Sequence, residues 1–188
     1  VYVVAPVEPA AAGAAPHAGA EGESAPLKLT ENECSTIGTE LVHALTRAIM
    51  GPAPEPALWE VDANLRPEGK DGPLVRTVES YVQYYKRWAE NWEFQALLKA
   101  RPIAGSAQLG ARYARAIDPF VWESAGRESF VESVQAMRAR VTDNIPSHQV
   151  DRQIKLGPGG LRDIEFTVQL LQLVHGRTDP AVRTKSTV

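Results

Sequence analysis

From Thr77 to the end of the chain, apolar residues recur with the three- and four-residue spacing of an α-helix, and this pattern restricts the possible folds most. It predicts helices over 107–117 and 128–141 and a last helix that ends near Gly176. Aromatic residues at positions i, i+4, i+7 and i+11 predict a stripe that packs in a core. The members of this stripe are Tyr81, Tyr85, Trp88 and Trp92. We therefore predict an all-α domain over 77–188.

The first part of the chain mixes strand and helix patterns. The β-branched run 1–5 predicts a short strand, whereas 6–29, which is rich in Ala, Gly and Pro and lacks periodicity, predicts a mobile loop. A helix is predicted over 31–50, with Thr30 as its N-cap and Gly51 as its stop. Its apolar residues follow an i, i+4 stripe: Ile37, Leu41, Leu45 and Ile49.

The segment 58–65 alternates loosely between apolar and polar residues and therefore predicts a second strand. We assign 1–76 to a domain of mixed strand and helix, so the predicted fold class of the whole chain is α+β. A length of 188 residues suits one domain or one and a half.

Composition and charge exclude several classes of partner. The formal net charge of −3 provides no general basic field, so we expect no nucleic-acid partner. The apolar run 1–5 is far too short to cross a membrane, and we expect no membrane association. The single cysteine, Cys34, cannot form an internal disulfide and is expected to be a small packing residue in a cytoplasmic protein. The four histidines are dispersed and do not have metal-ligand spacing.

The segment 61–73 carries the first candidate site. It places Asp62 in an apolar predicted strand and follows it with a Gly- and Pro-rich turn that contains Arg66 and Lys70. Because a buried lone charge is costly, Asp62 is expected to pair with a cation or a metal ion. Arg66 and Lys70 are the candidates for binding phosphate oxygens. Alternatively, Asp62 caps a turn.

A second candidate site is the Gly-rich turn that leads into the last helix. Gly159 and Gly160 allow backbone N–H groups to face an anion, with Arg162 beside them, although the same glycines also suit a simple helix entry. We expect this mostly apolar helix to be largely buried. Its one polar stripe is expected to face water, a partner or a cleft, and consists of Arg162, Glu165, Gln169 and Gln172.

The segments 61–73, 92–102 and 155–166 resemble the glutamine synthetase adenylyltransferase family, and the first contains that family's acid-x-x-Leu-Arg-Pro-x-Gly pattern. The resemblance implies the C-terminal part of a polymerase-β-like nucleotidyltransferase domain, followed by a helical domain of the type shared with PII uridylyltransferases. It also implies that Asp62 is the third acid of a Mg²⁺ site, since nucleotidyl transfer depends on positioning and neutralising phosphate. The other two acids are expected upstream of Val1, in a Gly-Ser-Asp-x-Asp motif.

Enzymes of this family modify glutamine synthetase through two homologous halves, one that attaches AMP from ATP and one that removes it. The residues at 70–77 and 156–163 are more similar to the removing half, which implies Mg²⁺-dependent phosphorolysis of adenylyl-tyrosine, with phosphate consumed and ADP released. The implied partners are glutamine synthetase and the PII signal protein. The alternatives are the ATP-dependent half, a non-catalytic module that binds either partner, and a PII uridylyltransferase. Without the paired acids, we expect the chain alone to be inactive.

Overall fold

A computed structural model describes residues 2–4, 29–51, 57 and 59–185. The chain forms two compact units, Val1–Ser80 and Tyr81–Val188, whereas the sequence predicts the division after residue 76. Apart from Leu29, the predicted loop 6–29 lies outside the described residues. The strands and α-helices run in the order β1 (Tyr2–Val4), α1 (Glu31–Met50), β2 (Val75–Thr77), α2 (Val78–Arg87), α3 (Asn91–Leu97), α4 (Ala107–Glu123), α5 (Phe130–Asp143) and α6 (Leu161–Gly176). No helix in these ranges is both long enough and apolar enough to cross a membrane.

In the first unit, α1 lies against a small parallel sheet. β1 pairs with β2 so that Tyr2 lies opposite Val75 and Val4 opposite Thr77, which confirms the first predicted strand over these residues. The predicted bounds of α1 are also confirmed, because Thr30 closes a capping box with Glu33. The Thr30 hydroxyl accepts the Glu33 N–H at 3.3 Å, and the Thr30 N–H donates to the Glu33 carboxylate at 2.7 Å. The second bond lowers the pKa of Glu33.

The apolar stripe of α1 lies at the surface of the described residues. Leu41 is 64 % exposed, while Cys34, Gly38 and Val42 are buried. The predicted stripe is therefore not the face that the helix buries.

The predicted strand over 58–65 is wrong. Residues 59–64 have no regular secondary structure, and Leu58 lies outside the described residues. Local hydrogen bonds replace strand pairing here: Asp62 Oδ1 accepts the Asn64 N–H at 2.8 Å, and Arg66 Nη1 donates to the Ala63 carbonyl at 2.7 Å. These local hydrogen bonds use backbone groups that strand pairing would need, so the segment does not join a sheet despite its alternating sequence.

The second unit is helical, as predicted, around an aromatic core. Tyr81 is fully buried, stacks on Tyr85 with ring centroids 6.1 Å apart, and meets Tyr113 edge to face at 5.2 Å. The predicted aromatic stripe is nevertheless broken, because α2 ends at Arg87 and Trp88 is 71 % exposed. Only the first two members of the stripe are among the buried core residues.

The side of α6 that faces the core contains glutamines, although the composition of the helix suggests that its aliphatic residues face the core. Gln169 and Gln172 are buried at 5 % and 6 % exposure, whereas Ile164 and Leu171 are exposed at 58 % and 52 %. Gln95 Nε2 donates to Gln169 Oε1 at 2.9 Å, and Gln169 Nε2 donates to Glu165 Oε1 at 3.1 Å, so the buried Gln169 amide uses both its acceptor and its donor. The prediction of a largely buried helix is therefore wrong for Ile164 and Leu171. The prediction that the polar stripe faces water, a partner or a cleft is wrong for Gln169 and Gln172.

A buried carboxylate also lies in the second unit, at the start of α3. Glu93 Oε1 accepts both the Tyr84 hydroxyl and the Glu90 backbone N–H at 2.9 Å. Burial nevertheless raises the pKa of Glu93 above its ordinary value of 4.5, because desolvation outweighs these two hydrogen bonds.

The capping box of α1 predicts a defined loss of stability on Thr30→Ala. Removing the hydroxyl acceptor leaves the Glu33 N–H without its cap, which should lower the free energy of unfolding by about 0.5–2 kcal/mol in urea titration. Thr36→Ala is the control, since Thr36 is exposed within the same helix and Ala has the higher helix propensity. Equal unfolding midpoints for the two variants would contradict the role of the cap.

The raised pKa of Glu93 predicts a pH-dependent cost to folding. Because the unfolded carboxyl ionises near 4.5 and the folded one only at higher pH, the free energy of unfolding should decline as pH rises between these two values. In Glu93→Gln, which retains an oxygen acceptor, this part of the decline should be absent. Urea titrations from pH 4 to pH 8 test this, with exposed Glu132→Gln as control. Identical pH profiles for wild type and Glu93→Gln would refute it.

Candidate functional site

In the loop 61–73, Asp62 is presented to solvent. Its side chain is exposed, and Oδ1 accepts the Asn64 N–H at 2.8 Å. Asp62 is therefore not buried, and its contact with Asn64 matches the turn-capping alternative, while its pairing with a cation or a metal ion stays a prediction. An exposed carboxylate keeps full access to a metal ion or a substrate, so the capping contact does not exclude a chemical role.

Arg66 organises the loop from within. Its Nη1, Nη2 and Nε groups donate to the carbonyls of Ala63, Lys70 and Gly72 at 2.7, 2.9 and 3.2 Å. The guanidinium donors of Arg66, which the sequence analysis expects to bind phosphate, are thus bonded to three backbone carbonyls. Arg66 thus holds the loop in shape, and of the two predicted cations Lys70 is the one with an exposed side chain.

A second arginine ties this loop to the sheet. Arg76, in β2, makes an ion pair with Glu68 at 2.7 Å and donates to the Ser80 hydroxyl at 3.2 Å. Gly72 is buried, and a Cβ added there would lie 2.1 Å from the Pro67 carbonyl oxygen. The backbone of the loop is therefore tightly folded around Gly72.

The fit of the predicted magnesium site is incomplete. Carboxylate oxygen is the donor that Mg²⁺ prefers, and Asp62 supplies it. In the described part of the chain, however, no three His, Cys, Asp or Glu side chains come together in a group that could hold a metal ion. Asp62 alone cannot make such a site, so no catalytic step through a metal follows from these residues.

In the second unit, the backbone N–H groups of the Gly-rich turn are already bonded. The Gly159 N–H donates to Asp163 Oδ2 at 2.6 Å, the Gly160 N–H to the Gly157 carbonyl at 3.0 Å, and the Arg162 N–H to the Lys155 carbonyl at 2.9 Å. The predicted use of these amides to bind an anion is therefore not supported in this conformation. The turn instead matches its alternative, a closed entry into α6.

Arg138 is a residue that the sequence analysis missed. From α5 it makes an ion pair with Asp163 and hydrogen bonds to the carbonyls of Leu156 and Gly157 at 3.1 and 3.2 Å. This pair joins the turn to both helices. The only signal in the sequence is Asp163 beside the predicted Arg162, because Arg138 lies 25 residues earlier in a different helix.

The ion pair also affects the pKa of Asp163. The Arg138 guanidinium and the Gly159 N–H both stabilise the charged carboxylate, so the pKa of Asp163 is lowered. Arg162 lies in the first turn of α6. Its Nη1 donates to Glu165 Oε2 at 3.1 Å, and its guanidinium lies 5.8 Å from the centre of the Phe166 ring. Arg162 remains partly exposed.

Comparison with known proteins places both candidate sites in matched regions. A model of the glutamate-ammonia ligase adenylyltransferase family matches residues 21–116, about half of the chain. The chain belongs to this family. A second model, GlnD PII-uridylyltransferase, matches residues 135–187. The loop with Asp62 thus lies in the first match, and the Gly-rich turn with α6 in the second.

Relatives of this adenylyltransferase-family chain are named bifunctional glutamine synthetase adenylyltransferase/adenylyl-removing enzyme. The one from Leifsonia xyli subsp. xyli is 64 % identical over 81 % of this chain and 15 % of its own length. The relative from Streptomyces coelicolor is 57 % identical over 84 % of this chain and 16 % of its own length. The relative from Bifidobacterium longum strain DJO10A is 59 % identical over 81 % of this chain and 14 % of its own length. The chain therefore spans about one sixth of the length of these relatives.

The ion pair in the second unit predicts a loss of stability on Arg138→Gln. The variant leaves Asp163 without its cation and two carbonyls without a donor, which should reduce the free energy of unfolding at pH 7 by more than a surface substitution does. Exposed Arg140→Gln is the control, with a change within about 0.5 kcal/mol. Urea titration monitors both variants.

The same variant should respond to pH. The stabilisation from ionised Asp163 is present above its unfolded pKa, ordinarily 3.8, and is lost as pH falls through the lowered folded pKa. The difference between wild type and Arg138→Gln should therefore shrink in acid. A difference that stays constant down to pH 2, or one no larger than that of Arg140→Gln at pH 7, would contradict this role of Arg138.

Proposed function

We propose that this chain is part of an enzyme that controls glutamine synthetase, and that it belongs to the half that removes AMP from adenylyl-tyrosine. The observation that carries the proposal is the 57–64 % identity to enzymes whose names include both adenylyltransferase and adenylyl-removing activities. The adenylyl-removing assignment rests on the residues at 70–77 and 156–163. The amino-acid sequence of these two segments is more similar to the first, deadenylylating half of enzymes in this family.

The loop 61–73 is the proposed contribution of this chain to the reaction. Asp62 is exposed and held by the Asn64 N–H, so its carboxylate stands at a defined place without being covered. The proposal assigns Asp62 to a Mg²⁺ site in a polymerase-β-like domain, together with acids from outside this sequence. Mg²⁺ supplies charge neutralisation for nucleotidyl transfer when it is bound.

The two cations of the loop have different proposed roles. Arg66 is a positioning residue, because three of its donors hold backbone carbonyls of the loop. Lys70 is exposed and can neutralise the oxygens of an incoming phosphate as a mobile point charge. The reaction transfers AMP from the tyrosine oxygen to phosphate, which gives ADP and restores the tyrosine hydroxyl.

The Gly-rich turn and α6 support a second, binding function. The match of residues 135–187 to GlnD PII-uridylyltransferase favours a helical region that docks the PII signal protein or glutamine synthetase without chemistry. In this reading Gly159 and Gly160 shape the turn, and Arg162 provides a partly exposed cation at the start of α6. Partner binding without nucleotide transfer by the full-length protein would favour this reading over the catalytic one.

Asp62→Asn in the full-length protein tests the proposed function. Phosphate-dependent ADP release from adenylylated glutamine synthetase should fall by about 100-fold or more, because a carboxylate that holds a metal contributes several kcal/mol. Asp71→Asn, an exposed acid of the same loop, is the matched control and should retain activity. Circular dichroism verifies that both variants are folded.

Two further assays on the same proteins separate the alternatives. If Asp62→Asn abolishes ATP-dependent AMP attachment but leaves ADP release intact, the chain belongs to the other half. If the wild-type protein transfers UMP from UTP to PII instead, it is a uridylyltransferase. Near-normal activity of Asp62→Asn in every assay would refute a catalytic role for this loop.

A further inference from the structure

The outer face of α6 is an apolar stripe that the described residues of the second unit do not cover. Four of its aliphatic residues are between 40 % and 61 % exposed and recur at the spacing of a single helix face. They are Leu161, Ile164, Leu171 and Val174. At 1.5 Å per residue the stripe is about 20 Å long, which is the length of an ordinary helix–helix contact.

The inner face of α6 is fixed, so the helix cannot rotate to bury this stripe. Gln169 Oε1 accepts the Gln95 Nε2 group at 2.9 Å in the interior. A Cβ added at Gly176 would lie 2.7 Å from the Trp122 ring, so the helix approaches α4 too closely to accept any larger side chain there. Leu173 is completely buried between these two contacts. The stripe can therefore be covered only from outside.

A polar contact near the C-terminal end of α6 supports the same conclusion. Gln172 Nε2 donates to the carbonyls of Val182 and Thr184 at 3.2 Å. Turning the helix would break this contact, expose Leu173 and leave the buried Gln95 amide without its acceptor. The position of the stripe is thus a consequence of the packing.

Two ion pairs lie beside the stripe. Arg162 donates to Glu165 at 3.1 Å, and Asp163 is paired with Arg138. A membrane-binding helix requires cations along its polar face that are available to lipid, whereas both of these arginines are paired with acids. An apolar strip whose neighbouring charges cancel is instead typical of the core of a permanent protein interface.

We propose that the stripe on α6 is covered by an apolar helix from another part of the same full-length polypeptide. The relatives continue far beyond the matched region, since this chain spans only 14–16 % of their length, so most of the polypeptide that could supply such a helix lies outside it. A neighbour in the same chain is always present, which suits a surface that would be unfavourable to expose in water. The inference goes beyond the proposed function and does not depend on which reaction the protein catalyses.

Hydroxyl-radical footprinting of the full-length wild-type protein tests the inference without any substitution. Residue-resolved mass spectrometry would compare Ile164 and Leu171 with two exposed isoleucines, Ile103 and Ile154, and with the buried Leu173. We expect Ile164 and Leu171 to be oxidised several-fold more slowly than Ile103 and Ile154, close to the rate of Leu173. Oxidation of both residues at the rates of Ile103 and Ile154 would overturn the proposal.

The measurement is repeated over a wide range of protein concentrations. Protection that is constant on dilution supports an intramolecular neighbour. Protection that disappears on dilution together with a dimer, as seen by analytical ultracentrifugation, would overturn the proposal in favour of a second copy of the protein. Protection that appears only when purified PII or glutamine synthetase is added would overturn it in favour of a partner surface.

A pair of variants provides an independent readout. Ile164→Glu with Leu171→Glu should lower the thermal midpoint of the full-length protein and raise its binding of a hydrophobic dye, because charges enter a buried contact. Ile154→Glu, at an exposed isoleucine outside the stripe, is the control and should change neither. Equal midpoints for the double variant and the control would contradict a covered stripe.

Discussion

The hydrogen bond between Gln95 and Gln169 decides how the second unit is arranged around α6. Gln95 Nε2 donates to Gln169 Oε1 at 2.9 Å, so a polar part of the helix surface can lie in the core beside the buried Leu173. The opposite side, with Ile164 and Leu171, then faces outward. A helix that is apolar over most of its circumference is usually buried on more than one side, and the described residues of the second unit bury the side with the glutamines.

Side-chain donors also decide the shape of both candidate sites. Arg66 binds three carbonyls of the loop 61–73, and Arg138 holds two carbonyls and the Asp163 carboxylate at the Gly-rich turn. A backbone segment without regular secondary structure lacks a repeating pattern of backbone hydrogen bonds, so its carbonyls need side-chain donors such as these arginines. Residues that suggest anion binding in the sequence therefore support the loops that carry Asp62 and Arg162.

This difference changes how the family motif is understood. In acid-x-x-Leu-Arg-Pro-x-Gly, the arginine maintains the loop and the acid remains exposed. The proposed chemistry of the loop consequently depends on Asp62 and Lys70, with Arg66 acting through them. The loop is rigid enough to present a carboxylate, but a metal site requires more acids than the described residues bring together.

The sequence by itself determined the family, the helical character after Thr77, and the limits of α1 and α6, because motifs, caps and glycines act through neighbours in the chain. Only the tertiary structure decided which face of each helix is buried. In α1, Leu41 is exposed while Cys34 and Gly38 are buried. In α6, Leu171 is exposed while Gln169 is buried and Gly176 lies against Trp122. Periodicity identifies an apolar side, but close approach and paired amides determine which side packs, and those depend on residues far apart in the sequence.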